Sequence, residues 1–313
     1  MLPPLTFHEF LLFSGDNDDL IEVRAPLIRE RNKPWVTSRY VAKNIAALND
    51  RFIDYLNYGG YPEVVLNPAI QRNTDQFIRN DIIDKVLLKD LPSLYGIVDI
   101  PELNKLFSFL AYNAGNEASL ERISRECGLT KPTIKRYIEY LESAFLVIKL
   151  KTVNGNCRTM KRERHFKIYL NNPSMRAALF APVKKDDAER IGHLAESAIF
   201  SQWQHASTAR QLRYARWRNE GEVDIVYLNR ASDRPGWIGE IKWSDRSRNN
   251  FDRETRSMRT LLEKHKTIRS CFITSKTWSG TREIAGREIQ IIPSALYCYT
   301  VGRNIKPRLD EPA

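Results

Sequence analysis

The apolar residues in the middle of the chain change from helical spacing to strand spacing. A first helix is predicted because five apolar residues fall on one helical face: Leu103, Leu106, Phe107, Leu110 and Ala111. A short helix then places Leu120 and Ile123 inward, and residues 127–129 form a tight turn. Thr130 is a natural N-cap for a third helix. Four apolar or aromatic residues of that helix repeat the helical spacing: Ile134, Tyr137, Ile138 and Leu141.

Two strands and a turn follow the third predicted helix. The β-branched and aromatic runs at 145–150 and 166–170 predict the strands, and Asn and Gly at 154–156 predict the turn. Helix, helix, turn, helix and a two-stranded wing is the order of a winged helix–turn–helix. We therefore predict this motif within residues 76–175.

The outward face of the third predicted helix is basic and polar, and it holds Lys131, Thr133, Lys135 and Arg136. Such a face supplies cations for phosphates and short polar groups for base edges. The predicted hairpin at 145–167 carries seven Lys and Arg residues, Lys167 among them, against one acid. Four of these cations are expected to lie along a DNA backbone: Arg158, Lys161, Arg162 and Arg164. The alternative is a solvated basic face on a protein-interaction module.

The composition of the chain favours a polyanionic partner in a reducing compartment. The 313 residues include 49 Lys and Arg against 38 Asp and Glu, a formal net charge of +11. Apolar runs are too short for a membrane span, and the N-terminus lacks the pattern of a secretory signal. The four cysteines are scattered and form no C-x-x-C pair. We therefore expect reduced thiols in a cytoplasmic protein, with DNA as partner and no membrane.

From about residue 185 the pattern becomes that of an α/β domain. An amphipathic helix is predicted at 191–199, followed by three strands, a helix and two further strands. Their predicted bounds are 212–217, 222–227 and 237–243 for the three strands, 253–264 for the helix, and 271–274 and 289–292 for the last strands.

Charged residues interrupt two of these otherwise apolar strands. Because residues two apart share a strand face, Asp224 is expected on one face with Glu222 and Val226. Likewise Glu240 and Lys242 share a face of the next strand. Charges inside a sheet are costly unless they pair or coordinate a metal.

These charges predict a metal-dependent catalytic site. Asp224 and Glu240 could together hold Mg²⁺, which prefers carboxylates and waters. Lys242 could orient or deprotonate a metal-bound water, or stabilise a pentavalent phosphate. Glu196, at the margin of the preceding helix's apolar face, could reach the same pocket. The alternative is a structural ion pair of Lys242 with one of the carboxylates on a solvated sheet face.

Six segments, in order, carry a family resemblance: 1–10 (MLPPLTFHEF), 56–65 (LNYGGYPEVV), 88–95 (LKDLPSLY), 129–147 (LTKPTIKRYIEYLESAFLV), 222–226 (EVDIV) and 239–245 (GEIKWSD). They resemble the prokaryotic AAA-type ATPases that end in domain of unknown function 4143. The resemblance implies an ATPase domain, a winged helix and a C-terminal domain of PD-(D/E)xK nuclease type. Four residues match the helix Glu, the Asp and the E-x-K of that nuclease superfamily: Glu196, Asp224, Glu240 and Lys242.

The chain departs from this family at its beginning, where members carry a phosphate-binding loop. No G-x-x-x-x-G-K-[ST] occurs in the chain, so no ATP site and no ATPase activity of its own are expected. An ATPase partner or a missing N-terminal domain would have to supply one. The expected α+β organisation has four parts: a helical segment at 1–75 following an ATPase core, the winged helix at 76–175, the PD-(D/E)xK nuclease-like domain at 185–300 and a tail at 301–313.

The leading functional prediction is a DNA-binding protein with a Mg²⁺-dependent nuclease-like domain. One alternative is a non-enzymatic DNA-binding or assembly module with a degenerate nuclease fold. Another is the C-terminal half of an AAA-type ATPase whose ATP site is missing or supplied in trans.

Overall fold

The computed structural model describes residues 3–24, 40–159, 165–217 and 221–305 and has an α+β fold. The N-terminal part contains α1 (Phe7–Phe13), α2 (Asn17–Leu20), β1 (Ile21–Val23), β2 (Tyr40–Ala42), α3 (Ile45–Tyr58), α4 (Pro62–Leu66) and α5 (Pro68–Gln71). The middle part contains α6 (Thr74–Phe77), π-helical turns at Ile78–Asp84 and Val86–Asp90, α7 (Leu91–Tyr95), α8 (Ile100–Tyr112), β3 (Glu117–Ala118), α9 (Leu120–Cys127), α10 (Lys131–Ser143), β4 (Val147–Val153), β5 (Phe166–Leu170) and α11 (Ser174–Phe180).

The C-terminal part is a helix-flanked run of strands. It contains α12 (Ala188–Trp203), a 3₁₀ turn at Ser207–Gln211, β6 (Leu212–Trp217), β7 (Gly221–Leu228), β8 (Pro235–Glu240), a 3₁₀ turn at Arg246–Arg248, α13 (Phe251–Glu254), α14 (Arg256–Lys264), β9 (Ser270–Ser275), β10 (Gly280–Ile284), β11 (Arg287–Pro293) and α15 (Ser294–Ile305).

A large mixed sheet joins the middle and C-terminal parts. Its nine described strands follow the order β10-β11-β9-β8-β7-β6-β4-β5-β3. The joint is β4, which pairs antiparallel with β5 and parallel with β6. In the second pairing, Thr152 and Val153 lie opposite Tyr214 and Ala215. The division into units at 76–175 and 185–300 stays a prediction, but the sheet does not break between them.

The turn between α9 and α10 is set by local residue chemistry. Gly128 ends α9 in the left-handed region, with φ +76, which a glycine adopts without steric cost. Thr130 then caps α10, because its side chain accepts a hydrogen bond from the Thr133 N–H. Both the predicted cap and the predicted turn are therefore confirmed.

The N-terminal helices pack on the C-terminal part. Phe52 of α3 stacks on Trp243 with ring centroids 5.5 Å apart, and both residues belong to one buried cluster with α12 and α15. Gln202 of α12 ties these elements together. Its side chain accepts from the Phe7 N–H at 2.9 Å and donates to the Tyr55 hydroxyl at 2.9 Å. These contacts fix the position of α12, the helix that carries Glu196.

Several predicted element bounds are wrong, and each has a local cause. Within the helical segment at 1–75 the sequence predicts a helix from Val41 to Leu56, but α3 begins at Ile45, because the Asn44 side chain caps it through the Ala46 and Ala47 N–H groups. The strand predicted from residue 145 begins at 147, because Phe145 closes a turn at φ +57.

Two further predicted bounds need correction. The strand predicted to reach Trp243 ends at Glu240, because the Lys242 N–H donates to the side chain of Thr274 on the neighbouring β9 and not to a main-chain carbonyl. The sequence also predicts a helix at 75–89, and this helix continues through its π-helical turns to Tyr95. The Asn, Glu and Gly of 219–221 predict a hairpin turn, part of which lies outside the described residues.

No helix within the described ranges combines the length and the apolar character that crossing a lipid bilayer requires.

Candidate acidic site

Asp224 and Glu240 lie side by side at the end of the β7–β8 ladder. Ile225 pairs with Gly239, so the next position in this antiparallel register sets Asp224 opposite Glu240. The two residues are 7% and 3% exposed. Asp224 Oδ2 accepts a hydrogen bond from the Ile241 N–H at 2.8 Å. A hydrogen bond also joins the two side chains, and burial together with Asp224 raises the pKa of Glu240 well above its ordinary value.

Lys242 follows the end of β8 and is anchored by its main chain. Its N–H donates to Thr274 Oγ1 at 2.7 Å, and its carbonyl accepts from Ser294 Oγ at 2.9 Å. Its ammonium lies 3.4 Å from Glu240 Oε2, and the side chain is 33% exposed. The Glu240 carboxylate is the main cause that raises the pKa of Lys242, so the side chain stays cationic.

Glu196 reaches the same cluster from α12. The Tyr169 hydroxyl of β5 donates to Glu196 Oε2 at 3.0 Å. Burial and the neighbouring Asp224 raise the pKa of Glu196 to about 7. The four residues predicted as catalytic therefore come together: Glu196, Asp224, Glu240 and Lys242. Their chemical roles stay predictions.

Lys167 is a member of this cluster that the sequence analysis missed. We expected it on a solvent-facing basic hairpin, but it is 5% exposed and faces the carboxylates. Its ammonium forms an ion pair with Glu222 Oε1 and lies 4.0 Å from Glu196 Oε2. It also lies 5.4 Å from the Tyr214 ring centroid. The missed signal is the single charge in the apolar β5, the same signal that identified Asp224.

A partly exposed rim continues the cluster outward from Glu117 of β3. Glu117 accepts from the Tyr214 hydroxyl at 3.1 Å and pairs with Arg216 at 3.1 Å. The ring of His165 lies 3.4 Å from the same carboxylate. Arg216 also lies 3.9 Å from Glu222, which links the rim to the buried Lys167.

A β-bulge changes which side chains face the cluster. The β6–β7 register shifts between Arg213 and Ala215, so the alternation along β7 is interrupted. As a result Val223 and Val226, three residues apart, belong to one core cluster, while Ile225 belongs to another. The strict alternation along this strand, from which Glu222, Asp224 and Val226 were expected to share a face, is therefore wrong. The extra residue of the bulge lies beside Asp224, where a bulge can re-aim a side chain.

The carboxylates of Asp224 and Glu240 fit a cation whose other ligands are waters better than a cation whose ligands all come from the protein. Among the described residues, no group of three or more His, Cys, Asp or Glu is arranged to hold a metal ion. Asp224 and Glu240 form a pair of buried oxygen donors that repel each other when ionised. Mg²⁺ is commonly held by one or two carboxylates with waters completing its shell.

The outward face of α10 contains both paired and water-exposed residues. Lys131 lies 2.6 Å from the Glu121 carboxylate, and Thr133 is hydrogen-bonded to Thr130 at 2.9 Å. Lys135 and Arg136 are exposed, and the Arg136 guanidinium lies 5.8 Å from the Tyr137 ring centroid. These two cations therefore face water on the surface of α10.

The predicted basic hairpin is described only in part. Arg158 is exposed just after the turn that follows β4. Lys161, Arg162 and Arg164 lie outside the described residues, so their predicted contact with DNA stays a prediction.

A cavity of about 250 Å³ lies apart from the acidic cluster, among the N-terminal helices. Its lining includes Phe10, Arg51, Asp54, Tyr58 and Thr74. The Arg51 guanidinium is engaged there by Asp16 at 2.6 Å and Asp54 at 2.9 Å. The acidic cluster is the better functional candidate because its charges converge on one point, whereas this cavity's charges neutralise each other.

Comparisons with known proteins place the chain near uncharacterised relatives. A family model described as a domain of unknown function (DUF8612) matches residues 49–187. An uncharacterized protein of Haemophilus influenzae is 28% identical over 124 residues, which cover 38% of this chain and 30% of that protein. An uncharacterized protein of Methanocaldococcus jannaschii is 24% identical over 170 residues, which cover 53% of this chain and 34% of that protein. The chain thus spans about a third of the length of these relatives. No solved structure matches it significantly.

The predicted membership in AAA-type ATPases ending in domain of unknown function 4143 is wrong. The family model that matches is DUF8612, and the relatives carry no ATPase description. The ATPase core, the ATPase partner and the missing N-terminal domain were implied by that resemblance, and no comparison tests them. In LNYGGYPEVV, one of the segments that carried the resemblance, a Cβ on Gly60 would clash with the side chain of Asn172, so this fold requires a glycine at that position.

Proposed function

We propose that the protein binds DNA and hydrolyses its phosphodiester bonds with Mg²⁺ at the acidic cluster. The observation that carries this proposal is the meeting of the buried Asp224 and Glu240 carboxyls with the ammonium of Lys242. Titratable groups whose pKa values are strongly shifted by burial and by specific partners are concentrated at functional sites. A net charge of +11 around a buried acidic cluster also suits a polyanionic substrate, because the surrounding field attracts DNA.

Asp224 and Glu240 would hold the Mg²⁺. A bound Mg²⁺ would supply an activated water and charge stabilisation at the phosphate. The cation would also reduce the repulsion between the two carboxylates, whose side chains are joined by a hydrogen bond in its absence. The Ile241 N–H donates to one oxygen of Asp224 and orients this carboxylate at the ladder's end.

Lys242 would act as a cation that neutralises charge on the phosphate. Its main chain is held by Thr274 and Ser294, so the side chain projects from a fixed base. One third of the side chain is exposed, so a bound substrate would meet Lys242 from the solvent side. Of the two predicted roles, charge stabilisation fits this position better than proton abstraction, because a lysine beside a carboxylate keeps its proton.

The middle part would act as a winged helix–turn–helix that binds DNA. Its support is the order α8, α9, α10, β4 and β5, with Lys135 and Arg136 exposed on α10. The order α12, β6, β7, β8, α14 and β9, with the four charged residues at its centre, supports a PD-(D/E)xK-type domain.

The test is incubation with single-stranded, duplex and forked DNA, with and without Mg²⁺ or Mn²⁺. We expect cleavage only with metal, and loss of cleavage in Asp224→Asn. Asp252→Asn is the matched control, because Asp252 is exposed on α13 and pairs with Arg259. Cleavage that survives Asp224→Asn would contradict the proposed site.

A second candidate is a DNA-binding module whose nuclease-type site is inactive. The observation in its favour is that Lys242 already neutralises Glu240, at 3.4 Å, without any cation. DNA binding that depends on Lys135 and Arg136, together with no metal-dependent cleavage of any DNA form, would favour this second function.

A further inference from the structure

Lys167 is the one described lysine whose ammonium is enclosed by the acidic cluster instead of bordering it. In β5, Phe166, Ile168 and Leu170 join the core of the middle part. Lys167 and Tyr169 alternate with them and contact the opposite side, where Glu196 lies. The middle part therefore contributes the ammonium of Lys167, whereas the carboxylates of the cluster come from α12, β7 and β8.

The contacts of Lys167 with carboxylates offset the free-energy cost of burying its charge. An ammonium in a protein interior is costly unless carboxylates surround it. Lys167 is 5% exposed, pairs with Glu222 and lies 4.0 Å from Glu196. The carboxylates of Glu196, Asp224 and Glu222 all favour its charged form.

The two lysines of the cluster divide it into two ends. Lys167 compensates the Glu196–Glu222 end and is enclosed there. Lys242 borders the Asp224–Glu240 end, and a third of its side chain is exposed to water. A divalent cation that approaches the cluster can therefore bind readily at the second end, whereas the first end is already occupied by an ammonium.

We propose that Lys167 is an internal counter-cation that takes the place of a second divalent ion and restricts the cluster to one. This inference rests on the proposed function for the first ion, at Asp224 and Glu240. Removing the ammonium leaves Glu196 and Glu222 beside Asp224 with only Arg216, 3.9 Å from Glu222, to compensate them. Carboxylate oxygens freed in this way are ligands of the kind that Mg²⁺ and Mn²⁺ prefer.

The test is a Mn²⁺ titration of the full chain, with free Mn²⁺ counted by electron paramagnetic resonance. We expect one bound Mn²⁺ in the wild type and two in Lys167→Met. Lys151→Met is the matched control, because Lys151 is an exposed lysine on the adjacent β4, and it should bind one. Equal stoichiometry in the wild type and Lys167→Met would overturn the inference.

Further variants separate this inference from the proposed function. Asp224→Asn should bind none, and Asp224→Asn with Lys167→Met should bind one. If the wild type binds none and Lys167→Met binds one, the counter-cation inference holds while the proposed Mg²⁺ site fails. Lys167→Gln is the second neutral variant, since its amide can still bond Glu222. If neither neutral variant folds, even with Mn²⁺ present, Lys167 is a structural ion-pair residue and the inference is wrong.

Discussion

The outward face of α10 and the acidic cluster use the same residue type in opposite ways. Lys135 is exposed to water on a helix surface, whereas Lys167 is buried among the carboxylates of the acidic cluster. Charges in water are screened by salt and contribute little to stability. Buried charges interact strongly, and each one depends on its partners. A high number of basic residues in a segment therefore predicts a surface that attracts polyanions. It does not distinguish the exposed cations, such as Lys135, from the buried ones, such as Lys167.

The sharpest test of the buried region is Lys242→Ala. If this ammonium stabilises charge on the phosphate, the rate of metal-dependent cleavage should fall by about 10²–10³-fold. DNA affinity should change little, because binding is assigned to α10. Lys266→Ala, at an exposed lysine after α14, should cleave as the wild type does. Equal losses in both variants would mean that only net charge matters.

The exposed region is tested by Lys135→Ala combined with Arg136→Ala. Each lost phosphate contact should lower the slope of log affinity against log salt by roughly 1, so the double variant should lose about 2. The free energy of unfolding should hardly change, because both side chains are exposed on α10. An unchanged affinity and slope would show that α10 does not contact DNA.

A pH series tests the strength of coupling in the buried region. Burial and Asp224 raise the pKa of Glu196 to about 7, above its ordinary value of 4.5. The folded protein therefore binds more protons than the unfolded chain between these values, and its stability falls as pH rises through this window. Glu196→Gln should flatten that fall, by up to about 1.4 kcal/mol per pH unit.

The measurement is urea unfolding across the window, in the absence of divalent cations. Glu189→Gln is the control, because Glu189 is exposed in the first turn of the same helix, and it should keep the wild-type profile. A Glu196→Gln profile that still falls as the wild type does would show that Glu196 is not the titrating group.

The smallest effect is expected for Lys131→Ala, because Lys131 is exposed like Lys135 but forms an ion pair like Lys167. Its ammonium is exposed but already pairs with Glu121 at 2.6 Å. A phosphate would have to compete with that carboxylate, so the salt slope should fall by clearly less than the roughly 1 expected for an unpaired lysine. A loss as large as that of Lys135→Ala alone would show that the ion pair opens on DNA.

Sequence patterns were most informative where the physics is local. The N-cap at Thr130, the glycine turn at Gly128 and the apolar face of α10 depend on neighbouring residues, and all were predictable. The meeting of Asp224 with Glu240 also followed from counting along two adjacent strands. These features need no knowledge of distant contacts.

Features that depend on distant parts of the chain escaped prediction. The pairing of β4 with β6 arises from how two remote segments meet, and the bulge at Asp224 and Ile225 arises from how β7 pairs with β6. The inward position of Lys167 is determined by which face of β5 the core covers. The glycine at position 60 likewise depends on a distant contact, because a Cβ there would clash with the Asn172 side chain.

Thermal unfolding with Mg²⁺ shows whether Asp224 and Glu240 hold a divalent cation. A ligand at about 100 times its Kd stabilises a folded protein by about 2.7 kcal/mol, so Mg²⁺ should raise the wild-type Tm by several degrees. Asp224→Asn, a nearly isosteric change, should fold normally and lose that increase, while Asp252→Asn keeps it. An equal Mg²⁺-induced increase in Asp224→Asn, or none in the wild type, would contradict the account.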